Sequence, residues 1–437
     1  MTLDFKRPDG SIRRWNVIIG ENGTGKTTLL QLMAMALAGQ KAASVLLPRP
    51  IGWVRTGAQR AEIKATILPT FAQRDAEING APIQAKYAII EGDSEDSESD
   101  GPSILELPGS ARSRLLKLPS WFAAGYGPFR RLSGCSSQAA RLAKTNSREA
   151  RFVTLFREDA ALIHCEQWLK DLDYARLDSN DTERQQHSAT LLESVRDTIN
   201  NYLLPPGVSL ESINPRGVYF RTPYGTQIAL SDLSDGYRAM LALSIDLLRH
   251  LSRSYEKWIL QSSEWLRHVT GVVLIDELDT HLHPTWQREI SFWLKERFPR
   301  LQFIVATHSP FVPQAADEGG LYVLRRPPNA NAVEVFVDEP YVRGWRADQI
   351  LSILFDTPGM YDPDTERRLR EYACLKVLAE MGQLAASQAQ TLANLQAWVK
   401  RHLAPPGSTY AQMEHARHVQ TRAQELSQLF REQTSND

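Results

Sequence analysis

The pattern of apolar and polar positions changes its period along the chain, and these changes predict strands and helices. Near the N-terminus, the run from Trp15 to Ile19 predicts a buried strand and the stretch from Leu29 to Leu37 predicts a helix. Residues 272–275 and 302–306 predict two further buried strands, with a helix from Pro284 to Phe298 between them. Strands that alternate with helices indicate a mostly parallel sheet covered on both faces.

Two segments interrupt this alternation. Residues 44–110 contain short β-rich runs, among them Val45-Leu46-Leu47, and predict an antiparallel β subdomain that includes an acidic loop at 91–101. Residues 147–205 have apolar positions at three-four spacing on both sides of a polar break, which predicts a helical insertion made of a hairpin. Because each helix is short, a packed subdomain is favoured over a long projecting arm.

The second half of the chain completes the sheet. A β-hairpin is predicted at 218–230, followed by a helix from Asp235 to Ser254. The runs at 321–324 and 333–337 predict the last strands, and helices are expected beyond them. We therefore expect an α/β domain at 1–340 and a C-terminal helical region at 341–437.

Composition narrows the class of protein without identifying it. Of the 437 residues, 23% are charged and 42% are hydrophobic, and the formal net charge is −1, so no global basic signal for nucleic acid is present. The three cysteines form no C-x-x-C pair, which argues against a disulfide framework or a zinc site. No apolar stretch approaches the ~20 residues that span a bilayer, and no signal peptide is evident. We expect a cytoplasmic protein that does not enter membranes.

The charges are unevenly distributed. Between Ala111 and Arg157 there are ten Lys or Arg residues and one acid. Arg141, Lys144 and Arg148, with Arg151, recur at three-four spacing on one side of an expected helix, which suits contact with a DNA backbone. The alternative is that these bases pair with acids of the helical insertion or of the acidic loop.

A phosphate-binding loop directly follows the first strand. The segment matches G-x-x-x-x-G-K-[ST] in the strand–loop–helix context that this motif requires. Its backbone N–H groups and the helix N-terminus would hold phosphates, Lys26 would reach the β- and γ-phosphates, and the Thr27 hydroxyl would bind Mg²⁺. The predicted nucleotide-binding residues are Gly20, Glu21, Asn22, Gly23, Thr24, Gly25, Lys26, Thr27 and Thr28. ATP with Mg²⁺ is therefore the expected substrate.

Two later strands end in residues that suit hydrolysis. The strand at 272–275 is followed by Asp276, which would hold Mg²⁺, and by Glu277, which is placed to polarise the attacking water. Asp279 comes next, at the position where, in enzymes with similar motifs, an acid serves communication between subunits. The strand at 302–306 is followed by Thr307 and His308, and the His308 imidazole can hydrogen-bond the γ-phosphate.

The segment Leu233-Ser234-Asp235-Gly236-Tyr237 lies at the N-terminus of a helix, where it could bind an anion. It resembles the LSGGQ signature of ABC-type ATPases. Together with HLHP at 281–284 and ATHSP at 306–310, it resembles the SMC, RecF and OLD-like branch, especially the stand-alone bacterial "AAA family" ATPases of anti-phage systems. The HLHP histidines are expected at a helix entry, with Pro284 in the first turn, rather than on zinc.

This resemblance implies a P-loop NTPase fold with an ABC-type head and a homodimer, or a higher oligomer, that sandwiches two ATPs. Each site would use Lys26 of one head and Ser234, Asp235 and Gly236 of the other. The chain departs from the pattern at the metal-contacting glutamine, where residues 127–131 stand and Gln138 is a weak candidate. The lead-in before Asn16 is short, so either the start is truncated or adenine is held differently.

Three functions are compatible with these motifs. We favour an ATP-hydrolysing switch that acts on DNA or on a partner nuclease, in anti-phage defence or DNA repair. An OLD-like nuclease would need a second acidic cluster after the ATPase region, where the acids are scattered. An ABC transporter subunit fits poorly with the altered signature and the large insertions.

Overall fold

The computed structural model describes most of the chain up to residue 403. The described residues are 1–68, 82–90, 103–110, 121–130, 132, 136–144, 147–160, 162, 164–178, 181–204, 207–259, 264–327, 332–337, 342–357 and 361–403. The predicted acidic loop at 91–101 lies outside them, as do Arg131 and the side chains of Gln138 and Lys144.

The described residues form the following strands and α-helices. The strands are β1 Trp15–Gly20, β2 Arg60–Ile67, β3 Ile83–Ile90, β4 Ser103–Glu106, β5 Ala123–Tyr126, β6 Ser209–Asn214, β7 Gly217–Arg221, β8 Gln227–Ala229, β9 Gly271–Ile275, β10 Leu301–Ala306, β11 Leu321–Arg325 and β12 Glu334–Phe336. The α-helices are α1 Lys26–Ala38, α2 Gln40–Leu46, α3 Ser137–Lys144, α4 Val153–Phe156, α5 His164–Leu177, α6 Thr182–Thr198, α7 Asp235–Ser254, α8 Glu256–Ile259, α9 Pro284–Arg297, α10 Ala347–Leu354, α11 Pro363–Glu380 and α12 Ala386–His402.

The central sheet has six strands in the order β12-β11-β1-β10-β9-β5. Strand β1 pairs in parallel with β10 and β11, and β9 pairs in parallel with β10 and β5. Only β12 runs antiparallel, beside β11. The carboxyl ends of β1, β5, β9 and β10 therefore meet at one edge, where ligands of open α/β sheets bind. The predicted mostly parallel core is confirmed.

Alternate residues of β1 face two different hydrophobic layers, as the two-residue period of a strand requires. Val17 and Ile19 pack into a layer that also contains apolar residues of α5, α6, α7 and α9. Ile18 packs on the other side with α1, α2 and the antiparallel sheet β2-β3-β4. Burial on both faces explains why β1 is apolar at every position except Asn16.

The two insertions are present as predicted, with local corrections. The helical insertion is the hairpin of α5 and α6, whose apolar positions lie in the same hydrophobic layer as Val17. In the β subdomain, the prediction of a strand at Val45–Leu47 is wrong, because Gln40–Leu46 forms α2 and Ala42, Ala43 and Leu46 pack beside α1. Apolar residues three and four apart satisfy a helix as well as a short strand.

Packing divides the chain into two compact units, 1–356 and 357–437. In the described part of the second unit, α11 and α12 are in contact, and the Arg368 guanidinium lies 4.9 Å from the centre of the Trp398 ring. The functional boundary predicted between 340 and 341 stays a prediction. Among the described helices, none combines the length and the apolar character needed to cross a membrane.

Candidate nucleotide site

The loop after β1 bends through glycines into α1. Gly23 and Gly25 have φ angles of 78° and 86°, in the left-handed region that side chains with a Cβ rarely adopt. Gly25 directly precedes Lys26, the first residue of α1. The backbone can therefore turn so that the N–H groups at the start of α1 remain available to an anion.

Lys26 lies inside this loop. Its Nζ donates hydrogen bonds to the carbonyl oxygens of Gly20 at 2.8 Å and Glu21 at 3.0 Å. The side chain is buried, and burial lowers the pKa of Lys26, whereas the carboxylates of Asp276 and Glu277 favour its charged form. A buried ammonium group that is satisfied only by carbonyl oxygens is a strong attractor for phosphate.

Thr27 and Asp276 come together across 249 positions of sequence. The Thr27 hydroxyl donates to Asp276 Oδ2 at 2.6 Å. Asp276 is 1% exposed, and its Oδ1 has no hydrogen-bond partner among the described residues. Burial raises the pKa of Asp276, while the hydrogen bond from Thr27 lowers it. A hydroxyl beside a buried carboxylate with a free oxygen is the donor set that Mg²⁺ prefers, so these two residues fit the predicted metal.

Glu277 follows Asp276 with an unusual backbone conformation. Its φ is 45°, a left-handed value that is uncommon for a residue other than glycine. The Thr280 hydroxyl donates to Glu277 Oε2 at 2.9 Å. Strained backbone of this kind persists where the surrounding contacts hold it, and it is concentrated at functional sites.

Arg130 supplies a further contact, which the sequence suggested only in part. It follows β5 and is 3% exposed, and its guanidinium donates to the Glu277 carbonyl oxygen at 2.7 Å. Its Nε and a second nitrogen have no partner among the described residues. Burial lowers the pKa of Arg130 to about 10, against the attraction of Asp279, Asp276 and Glu277. A buried cation thus stands in the loop where a glutamine was expected.

Asp279 connects the ends of β9 and β10. Its Oδ1 accepts hydrogen bonds from the Thr307 hydroxyl and, at 3.4 Å, from the His308 N–H. His308 is half-buried, and burial together with the nearby Lys26 lowers its pKa. The neutral imidazole is therefore the expected form near pH 7, and it can donate one hydrogen bond to a phosphate oxygen.

The predicted signature segment lies at the start of α7. Ser234 is exposed and directly precedes Asp235, the first residue of the helix. A Cβ on Gly236 would lie 2.5 Å from the His281 carbonyl oxygen, so only glycine permits this approach of two backbones. The Tyr237 and Trp286 rings meet edge to face with centres 5.6 Å apart. The signature segment and the HLHP loop therefore form one surface.

HLHP itself serves the entry of α9. His283 is the N-cap residue, its ring nitrogen Nδ1 accepts from the Thr285 N–H at 3.4 Å, and Pro284 is in the first turn. These contacts confirm the predicted helix-entry role of the HLHP segment.

A buried polar cluster on α7 was missed by sequence reasoning. Asp246 accepts hydrogen bonds from the Tyr126 hydroxyl at 3.2 Å and from Arg249 at 2.6 Å, and His250 lies 3.4 Å from it. Tyr126 ends β5, and its carbonyl oxygen accepts from the Asp276 N–H at 2.8 Å. The available signal was the presence of polar residues on the apolar side of α7.

The basic segment differs from its prediction. The expected continuous helix through Arg141 and Arg151 is wrong: α3 ends at Lys144, and Arg148 lies in a turn before a short 3₁₀ helix. Arg141 is exposed, whereas Arg151 is largely buried with its guanidinium 5.3 Å from the centre of the Phe122 ring. Contact of Arg141, Lys144 and Arg148 with DNA stays a prediction, without the support of a shared helix face.

Comparison with known proteins gives a family match. Residues 15–312 match the family model described as "AAA domain, putative AbiEii toxin, Type IV TA system". This segment contains every predicted nucleotide, metal and signature residue.

Several curated proteins are similar to the chain. "Septu protein PtuA" of Bacillus mycoides is 26% identical over 86% of this chain and 45% of its own length. "Retron Ec83 probable ATPase" of Escherichia coli is 31% identical over 43% of this chain and 32% of its own length. "Septu protein PtuA" of Bacillus thuringiensis is 23% identical over 77% of both chains. The chain thus spans less than half the length of the first two relatives.

A search of solved structures finds SMC head domains. An SmcHead bound to the C-winged helix domain of ScpA matches 75% of this chain with 16% identity and a TM-score of 0.44. An Smc head domain with a coiled coil and joint from Pyrococcus yayanosii matches 78% with 13% identity and the same TM-score.

Proposed function

Because the chain belongs to the family described as "AAA domain, putative AbiEii toxin, Type IV TA system", we propose that it binds ATP with Mg²⁺ and hydrolyses it to ADP and phosphate. One observation carries this proposal. The Thr27 hydroxyl and the buried Asp276 carboxylate meet at 2.6 Å beside Lys26, at the carboxyl edge of the sheet. Relatives that are named ATPases support the same reaction.

Each residue of the site has a separate task in this reaction. Lys26 leaves the carbonyl oxygens of its own loop to contact the phosphates. Thr27 and Asp276 would hold Mg²⁺, which would neutralise charge on the phosphates. Glu277 orients the attacking water and accepts its proton. His308 donates a hydrogen bond to the γ-phosphate, while Asp279 keeps the backbone of His308 in place.

We further propose that two heads sandwich two ATPs, and that Ser234 and Gly236 of one head complete the site of the other. The exposed position of Ser234, directly before the first residue of α7, supports this arrangement, since a helix N-terminus can bind an anion. ATP-driven association would make the protein a switch that acts on a partner nuclease or on DNA.

Anti-phage defence is the biological setting that we propose. The resemblance of the motifs to defence ATPases and the relatives named Septu and retron support it. In the described residues beyond 342 the structure has helices and no strand, which disfavours a second catalytic sheet of the OLD type in that part of the chain.

The test compares two variants that act on different steps. Lys26→Ala should weaken ATP binding at least tenfold, because it removes the phosphate contact. Glu277→Gln should keep ATP affinity and lower kcat by on the order of 10²-fold or more, because it removes the base. Isothermal titration and a phosphate-release assay measure both quantities, and Lys41→Ala, an exposed lysine on α2, is the control. Wild-type ATP affinity in Lys26→Ala would refute the proposal.

A further inference from the structure

A cavity of about 390 Å³ opens beside the candidate phosphate loop. Gly20 and Glu21 of that loop form one wall, the residues that follow β11 form the second, and Phe336 of β12 with the end of α10 forms the third. The cavity lies on the side of β1 that faces β11, away from β9 and Asp276. Its volume is within the range of small-molecule sites, which begins at about 300 Å³.

Two contacts fix this cavity relative to the phosphate loop. A Cβ on Gly20 would lie 2.5 Å from the Leu324 carbonyl oxygen, so the backbones of β1 and β11 touch where the loop begins. The Arg326 guanidinium donates to the Gly23 carbonyl oxygen at 3.4 Å. Phosphates bound in the loop and another group of the same ligand bound in the cavity would therefore lie at a fixed distance from each other.

The chemistry of the lining suits a flat heterocycle. The Arg325 guanidinium lies 5.4 Å from the centre of the Phe336 ring, and it pairs with Asp356 at 3.2 Å. Arg325 also donates to the Ile353 carbonyl oxygen at 3.1 Å, which ties β11 to the end of α10. Phe355, half-buried at the end of α10, adds a second aromatic ring. Aromatic rings and guanidinium planes are the surfaces on which nucleobases stack.

Aromatic residues upstream of the phosphate loop are already engaged in packing. Phe5 lies edge to face against Tyr322, with ring centres 5.3 Å apart, and Tyr322 is fully buried. Trp15 is buried against Phe303 at 5.0 Å. Phe5 and Trp15 thus use their rings for packing rather than for contact with a ligand.

We propose that this cavity is the nucleobase subsite of the ATP site, with Phe336 and Phe355 as stacking surfaces and Arg325 and Asp356 as the polar groups that face the base. The proposal rests on the proposed function, because only a nucleotide whose phosphates occupy the loop would place its base here. It adds that the base is recognised by residues that follow the loop in sequence, on the β11 and β12 side of the sheet.

The test separates base binding from phosphate binding. Dissociation constants are measured for ATP and for inorganic tripolyphosphate, both with Mg²⁺, by isothermal titration. Phe336→Ala should weaken ATP binding on the order of tenfold, the usual effect of removing one stacked aromatic, and leave tripolyphosphate binding unchanged. Phe336→Tyr should keep the affinity for ATP, because it keeps a ring. Phe292→Ala is the matched control, since Phe292 and Phe336 are both 38% exposed and Phe292 lies on α9.

The outcomes distinguish this proposal from the proposed function. If Phe336→Ala and Phe355→Ala both bind ATP as the wild type does, or lose ATP and tripolyphosphate equally, the base does not occupy the cavity. Lys26→Ala should lose both ligands. If Lys26→Ala binds both ligands as the wild type does, the assignment of the phosphate loop is refuted. If Lys26→Ala loses both ligands but Phe336→Ala and Phe355→Ala bind ATP normally, only the base subsite is refuted.

Discussion

At the level of single residues, Glu277 has a backbone conformation that is unfavourable by itself and that contacts with other segments stabilise. Its φ of 45° is unfavourable for a side chain with a Cβ. The Arg130 guanidinium donates to the Glu277 carbonyl oxygen at 2.7 Å, and the same nitrogen lies 3.4 Å from the Leu278 carbonyl oxygen. Without that donor a buried carbonyl would lose its hydrogen bond, which costs on the order of 1–3 kcal/mol.

We therefore predict that Arg130→Met lowers kcat of ATP hydrolysis about tenfold or more while KM changes little, because the variant releases Glu277 and leaves the phosphate loop intact. Steady-state phosphate release measures both parameters. Arg141→Met is the control, since Arg141 is exposed on α3. An unchanged kcat in Arg130→Met would mean that Glu277 keeps its position without this contact.

At the level of elements, α7 connects the exposed signature segment to a buried cluster of charges. Its first residues meet the HLHP loop, and Asp246, Arg249 and His250 lie about three to four turns further along, all less than 5% exposed. Burial lowers the pKa of His250 to about 3, and the positive charges of Arg249, Arg151 and Arg253 act in the same direction against Asp246. His250 is therefore neutral in the folded protein near pH 7.

This burial gives stability a defined dependence on pH. Between about pH 6.5 and pH 3 the unfolded chain binds a proton at His250 and the folded chain does not. Stability contributed by this residue thus rises with pH in that window, at up to about 1.4 kcal/mol per pH unit. We predict that His250→Gln reduces the loss of unfolding free energy between pH 7 and pH 5.

Urea unfolding at several pH values, followed by circular dichroism, measures this effect. His402→Gln is the control, because His402 is exposed on α12. A slope in His250→Gln equal to that of the wild type would show that another group causes the acid sensitivity.

At the level of the whole molecule, one chain contains both halves of the proposed site but exposes one of them. Ser234 is exposed before α7, whereas Lys26 and Asp276 are buried at the sheet edge. Sharing of sites between two copies is the simplest use of such an arrangement, because a symmetric dimer repeats each contact. In the proposed dimer, local contacts rather than opposite overall charges would hold the two copies together, because the formal net charge of each is −1.

Mixing two inactive variants tests the sharing of sites. Ser234→Arg and Glu277→Gln should each be nearly inactive, and an equal mixture should recover about one quarter of wild-type ATP hydrolysis, since half of the dimers would be mixed and each would have one intact site. Ser234→Arg mixed with the double variant Ser234→Arg/Glu277→Gln should stay inactive. Wild-type turnover in Ser234→Arg alone, or no recovery in the first mixture, would contradict shared sites.

The sequence by itself determined the features that depend on neighbouring residues. The strand, loop and helix around Lys26 follow from one continuous segment, and the bounds of α7, Asp235–Ser254, agree with its apolar period. Asp276, Glu277 and His308 could be assigned to one edge, because parallel strands bring their carboxyl ends together. Local pattern and sheet topology were enough for these positions.

Only the tertiary structure decided the contacts that join distant segments. The approach of Arg130 to Glu277, of Gly236 to His281 and of Gly20 to Leu324 depends on how elements pack, which no local period records. The same is true of α2, where the short run Val45–Leu47 fits a strand or a helix until its neighbours fix the choice. Strand β6 was missed because Ser209–Asn214 is largely polar, and its pairing with β7 rather than its own pattern makes it a strand.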